Sequence, residues 1–158
     1  MILLLALGLG MFVLTLCVQM MPVVIFIHIA ASRHPHSLTR PSYGANFILL
    51  QSVAGLVVFA HLVNIALWAL LFWLCGEFAD LETAYYHSAG NYSSLGYGDI
   101  VMSTRWRLLG PLETIDGIVM FGISTALIVA LMTRLIERRM KAKEPEMNAM
   151  SQPSGDRK

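Results

Sequence analysis

Charge is scarce in this chain. Asp, Glu, Lys and Arg make up only 13% of its 158 residues, against roughly 25% in soluble domains. Hydrophobic residues make up 56% and mean hydropathy is +0.64, which excludes a water-soluble globule. Cysteine is scarce too: Cys17 and Cys75 make no disulfide framework, and both read as apolar packing. No serine sits in a G-x-S-x-G elbow and no motif places a base beside a nucleophile, so no enzymatic chemistry and no cofactor is expected. His28, His34 and His36 lack the carboxylate or cysteine partner that makes a metal site. A depth mismatch on the order of 15 Å between His28 and His61 argues against axial haem ligation.

What the chain has instead is three long apolar tracts, residues 1–31, 47–75 and 111–136. Each exceeds the roughly 20 residues that cross a bilayer as a helix. The first lacks the basic n-region of a signal peptide and is about twice the usual h-region length, so it reads as a retained helix. Residues 32–45 form a Pro-rich polar loop carrying Arg33 and Arg40. A second basic cluster, Arg134, Arg138, Arg139, Lys141 and Lys143, follows the third tract. The positive-inside bias puts both clusters in the cytoplasm, with the N-terminus outside and the C-terminus inside. Arg105 and Arg107 count against this topology but are outnumbered. The tail, residues 137–158, is polar and contains Pro145, Pro153 and Gly155; disorder is expected there. The cluster from Arg134 to Lys143 suits anionic lipid headgroups at roughly 1 kcal/mol per charge, although a topology signal explains it equally. Nothing points to nucleic acid.

Between the second and third tracts lies the most informative stretch. Asp80 is a good helix N-cap, with Glu82 in the first turn. Residues 80–92 are too short and polar to span, but long enough for a re-entrant helix of about three turns. Its C-terminal, partially negative end points at Ser93-Ser94-Leu95-Gly96-Tyr97-Gly98-Asp99. Gly96 and Gly98 accept positive φ and let successive carbonyls point one way, as a row of oxygens replacing an ion's hydration shell demands. Irregular backbone at membrane depth survives only where protein surrounds it or it lines water. One loop cannot encircle an ion, so four chains around an axis are expected.

With these residues in view, the chain resembles the pore domain of the potassium channels, in the bacterial group with a single pore loop. The resemblance covers roughly residues 82–135. It rests on Tyr86-His87-Ser88-Ala89, on Ser93-Ser94-Leu95-Gly96-Tyr97-Gly98-Asp99-Ile100, and on Gly117-Ile118-Val119-Met120-Phe121-Gly122 with Thr125-Ala126. The family pattern is Thr-Thr-Val-Gly-Tyr-Gly-Asp, with leucine for valine a familiar variant. The resemblance implies an all-α membrane protein: three transmembrane helices, a re-entrant pore helix and a selectivity-filter loop, assembled as a homotetramer. Residues 46–136 would then be the pore domain, with outer helix 46–75, pore helix about 80–92, filter 94–99 and inner helix 111–136. It further implies passive potassium conduction in the bacterial inner membrane. Carbonyls of Ser94, Leu95, Gly96 and Tyr97 would coordinate K+, with Gly98 completing the filter and the Ser94 hydroxyl the innermost site.

Asp99, Tyr86, Asn91 and Glu113 would brace the filter from behind. Tyr86 and His87 stand where the family has a tryptophan pair, and Tyr86 is placed to offer its hydroxyl to Asp99. Glu113 and Asp116 are expected to face Asn91, Tyr92 or Arg107, or water. Gly117 is the candidate bend, and Ile118, Phe121 or Gly122, Thr125 and Val129 the cavity or gate lining, though helix packing explains that stripe as well. His61 and Asn64, at i and i+3, suit hydrogen bonds between helices or a gating and proton-sensing role. The first helix lacks the spaced arginines of a voltage sensor. Serine has no methyl to restrict χ1, so a weakly selective cation pore is the alternative, and a non-conducting channel-like subunit another.

Overall fold

The computed structural model describes residues 1–32 and 43–151. The basic loop residues Arg33, His34, His36 and Arg40, and the chain beyond residue 151, lie outside the described residues. Four helices follow one another: α1 (Ile2–Ser32), α2 (Tyr43–Leu74), α3 (Leu81–Tyr92) and α4 (Leu109–Ser151), with no strand among the described residues. Within them Ile2–Ile25, Asn46–Leu74 and Leu109–Lys143 are long and apolar enough to cross a membrane.

Local chemistry sets the helix ends around the short α3. At the end of α2, Glu77 N–H donates to the Phe72 carbonyl (3.1 Å) and Gly76 N–H to that of Trp73 (2.9 Å), the paired bonds of a Schellman stop. Four residues later Asp80 takes an extended backbone, φ −132° and ψ 157°, and caps α3. Its carboxylate accepts from the Thr83 N–H (2.7 Å) and hydroxyl (2.9 Å). These bonds hold the Asp80 carboxyl below its usual range. The inner helix is longer than expected: α4 does not end at 136 but runs to Ser151, through residues for which disorder is expected. Glu137, Arg138, Arg139, Met140, Lys141, Ala142 and Lys143 all favour helix, and Glu137 precedes Lys141 by four. Polarity ends the buried part of this helix, not the helix.

α1 packs on α2 and α4, and α3 packs on the same two. The interior is layered. One apolar cluster gathers Met11, Trp68, Phe72, Tyr92, Met102, Leu109 and Met120. A second holds Val53, Val57, Leu127 and Leu131. Between and beside them sit the buried polar residues Thr15, Gln19, His61, Asn64, Asp116 and Ser124. The Asp116 carboxylate accepts from Trp68 Nε1 of α2 (2.7 Å) and from the Thr15 hydroxyl of α1 (2.9 Å). Gln19 Nε2 donates to Ser124 Oγ (2.7 Å), and Asn64 Nδ2 to Gln19 Oε1 (3.2 Å). Helix–helix hydrogen bonds in membranes average about 0.6 kcal/mol each, but a buried donor left alone costs more.

Asp116→Ala strands Trp68 Nε1, while the Thr15 hydroxyl keeps the Met11 carbonyl of its own helix (2.9 Å), and is expected to lower stability by about 2 kcal/mol. Thr15→Ala removes one bond and is expected to cost about 0.6 kcal/mol. Thermal unfolding of the two variants in detergent reads the difference.

Candidate functional site

The loop that carries Gly96 grows directly out of the last turn of α3. Ser93 N–H donates to the Ala89 carbonyl (3.1 Å) and Ser94 N–H to that of Asn91 (2.9 Å). Leu95 and Gly96 N–H both turn back to the Gly90 carbonyl (2.9 and 3.1 Å). From there every second residue is left-handed: Ser94 at φ 60°, Gly96 at 53° and Gly98 at 73°. Glycine adopts this at no steric cost, whereas serine does so at a strain of order 1–3 kcal/mol. Ser94 is the one non-glycine with positive φ among the described residues. Its role as a left-handed position went unread in the sequence, although extending the Gly98, Gly96 spacing one step back lands on it.

Residues 93–99 are all exposed. Leu95 is 57% and Tyr97 70% accessible, so nothing described of this chain covers the loop. The supports lie behind it. Tyr86 Oη donates to Asp99 Oδ2 (2.8 Å), and this bond raises the phenol above its usual value, keeping it a donor. Asp99 Oδ1 also accepts from Ile100 N–H (3.1 Å). Asn91 Nδ2 meets His87 Nε2 at 2.9 Å, and Thr114 Oγ1 of α4 donates to the Asn91 carbonyl (3.0 Å). His87 stands against Phe78 and Phe72, with ring centroids 5.0 and 5.8 Å away, and burial lowers its pKa. Between Tyr86, Tyr97, Asp99, Thr114 and Ile115 a cavity of about 560 Å³ remains. Beyond the loop Ser103 donates through its N–H and its hydroxyl to Glu77 (the latter 2.7 Å), tying the return segment to the turn before α3.

The residues expected behind the filter divide. Glu113 is buried against Ser88 of α3, whose hydroxyl also reaches the Ile65 carbonyl of α2 (2.8 Å). Asp116 faces away, toward α1 and α2, not toward Asn91, Tyr92 or Arg107. Gly117 is a contact rather than an open bend: a Cβ there would stand 2.1 Å from the Tyr92 carbonyl oxygen. Gly122, by contrast, has nothing within 4 Å. Ile118, Phe121, Thr125 and Val129 are exposed along α4, and the Thr125 hydroxyl donates back to the Phe121 carbonyl (2.9 Å). Near the end of the span Arg139 lines an apolar groove of about 430 Å³ with Asn46, Phe47, Leu50 and Met132.

His61 and Asn64 bond across helices, as their spacing suggested. Their partners Tyr92, Ser124 and Gln19 went unnoticed, although a polar residue inside an apolar tract is itself a signal.

A family model described as ion channel matches residues 47–134, more than half of the chain. The match runs from α2 into α4, contains the loop with Gly96, and leaves α1 outside. No curated protein and no solved structure matches the chain.

Alanine at Gly117 meets backbone rather than a flexible side chain and is expected to cost about 1–3 kcal/mol through overpacking. Gly122→Ala meets open space, and better helix propensity makes it neutral or stabilising by up to about 1 kcal/mol. Parallel unfolding measurements in detergent check the ordering.

Proposed function

The chain belongs to the ion channel family, and from that membership we propose that it is a potassium-selective channel working as a homotetramer. Four copies of the loop face a common axis. Carbonyls of Ser94, Leu95, Gly96 and Tyr97 replace the hydration shell of K+, and the Ser94 hydroxyl closes the innermost site. Gly98 and Asp99 hold the outer end of the loop, and Tyr86, Asn91 and Glu113 brace it. Ions move passively down their electrochemical gradient, with no covalent chemistry. Ile118, Phe121, Gly122, Thr125 and Val129 line the inner cavity. The N-terminus lies outside and the basic end of α4 in the cytoplasm, where Arg134, Arg138, Arg139, Lys141 and Lys143 meet anionic lipid.

The observation that carries this reading is the run of left-handed residues at 94, 96 and 98, set at the C-terminal end of α3. Alternating handedness turns successive carbonyls to one side. The helix end supplies partial negative charge, and four such ends reinforce one another. Assembly is supported by the exposed loop and by the apolar face of α4, where Ile115, Ile118, Phe121 and Val129 are left about half exposed by the described residues.

Reconstitution into liposomes at mildly alkaline pH tests the proposal. Flux of potassium well above that of sodium is expected, with block by barium. Gly96→Ala is expected to abolish it, since an L side chain at φ 53° costs about 1–2 kcal/mol in every subunit. Equal potassium and sodium flux would instead assign a weakly selective pore, the outcome a serine at position 94 favours. No flux would leave a non-conducting subunit.

A further inference from the structure

His61 sits where three helices meet. Its Nδ1 lies 3.0 Å from the hydroxyl of Tyr92, the last residue of α3, and its Nε2 lies 2.9 Å from Ser124 Oγ of α4. The ring is 8% accessible and stacks on Phe121 at 4.5 Å between centroids. Phe121 is itself 43% accessible, so one aromatic ring separates His61 from the exposed face of α4.

Counting hydrogens fixes the state of the ring. The Tyr92 oxygen accepts from Asn64 Nδ2 (3.2 Å), and its own proton has one acceptor among the described residues, His61 Nδ1. Ser124 Oγ accepts from Gln19 Nε2 and donates to the Met120 carbonyl (2.9 Å), which leaves it an acceptor for His61 Nε2–H. Every partner is satisfied by a neutral ring protonated on Nε2 alone. A second proton, on Nδ1, would confront the Tyr92 hydroxyl proton and force it to turn away. Of the two buried side-chain oxygens without a partner among the described residues, Asn64 Oδ1 and Glu113 Oε2, the first belongs to the amide already serving Tyr92. Turning that amide sets Oδ1 against Gln19 Oε1, acceptor against acceptor.

We propose that His61 is a positioning residue that holds the filter end of α3 against α4 only while its ring is neutral, so that proton uptake at His61 lowers conduction. The proposal rests on the channel reading above. The titratable groups facing the ring are few. Tyr92 comes from α3, while α1 presents only the non-titrating Thr15 and Gln19. On α4, Asp116 and Glu113 lie about 8 and about 12 Å along the axis from Phe121, on which the ring stacks; Asp116 is engaged by Thr15 and Trp68, and Glu113 by Ser88.

The test is potassium flux into liposomes containing the full chain, followed from about pH 8 to about pH 5, the interval in which histidine changes charge. Flux is expected to fall about tenfold per pH unit once the ring titrates, as the neutral fraction does. His61→Gln offers an acceptor and a donor without titrating, and is expected to conduct across the range without the step. Flux at pH 8 that stays flat on acidification overturns the proposal and leaves the channel reading intact. An acid step that survives in His61→Gln, as one arising from His87 would, also overturns it. No flux at any pH overturns both. Should His61→Gln fail to fold, nitrogen-15 NMR of the wild-type ring in liposomes decides: a neutral, Nε2-protonated His61 at pH 8 is expected, and an Nδ1-protonated or charged ring there sinks the assignment.

Discussion

Inside a bilayer there is no water to satisfy a polar group, so each one must find its partner within the protein. That constraint organises this fold. Apolar helix faces tolerate sliding, because one leucine contact resembles the next. The bonds of Asp116 to Thr15 and Trp68, and of Ser124 to Gln19 and His61, tolerate none, since a shift of a single turn would leave several donors and acceptors stranded. Each bond is worth little alone, about 0.6 kcal/mol. Their collective effect is register: α1, α2 and α4 can meet at only one height, with an apolar cluster on either side.

Register at the belt becomes position at the loop through one close backbone contact. The carbonyl of Tyr92 rests where a Cβ of residue 117 would be, so the end of α3 touches α4 almost directly. The Tyr92 hydroxyl is held from the other side by His61 and Asn64, and Ser88, one turn earlier, meets Glu113. The last turn of α3 is therefore fixed by α2 and α4 together before the chain enters its left-handed run. Strain such as that of Ser94 persists only when the surroundings over-determine it. Here Gly90, which accepts from both Leu95 and Gly96, and Tyr86, which grips Asp99, supply the two ends of that restraint.

Much of this was legible from the chain itself, for identifiable reasons. Asp80 declares itself because capping is local chemistry: one side chain and the N–H three residues on. The Tyr86–Asp99 link is legible through the family resemblance, which places Tyr86 at a tryptophan position of the pore helix. The three spans follow from length and hydropathy alone. What stayed hidden depends on which way a helix face turns. Glu113 and Asp116 are three residues apart, yet one meets α3 and the other α1 and α2. Gly117 carries the same letter as any flexible glycine, and only the neighbouring backbone reveals that it is a contact. The polarity that predicts disorder after 136 does not exclude a helix, because residues 137–143 are good helix formers that merely leave the apolar layer.

The first helix acquires a physical reason from the same constraint. The ion channel match begins at residue 47, so α1 is additional to the part that defines the family. Yet α1 supplies Thr15 and Gln19, and its other side presents Leu5, Leu9, Val13 and Val24 outward. Take it away and Asp116 loses its bond to Thr15, and Asn64 and Ser124 lose theirs to Gln19, each keeping at least one partner on α2, α3 or α4. A chain of α2 to α4 with these residues would turn the α1-facing sides of a carboxylate, an amide and a hydroxyl toward hydrocarbon, where a buried polar atom short of a partner is expensive. α1 is thus the cover that lets a polar belt exist behind the loop. The belt, in turn, gives the helix carrying the loop a directional restraint, which a purely apolar interface could not provide.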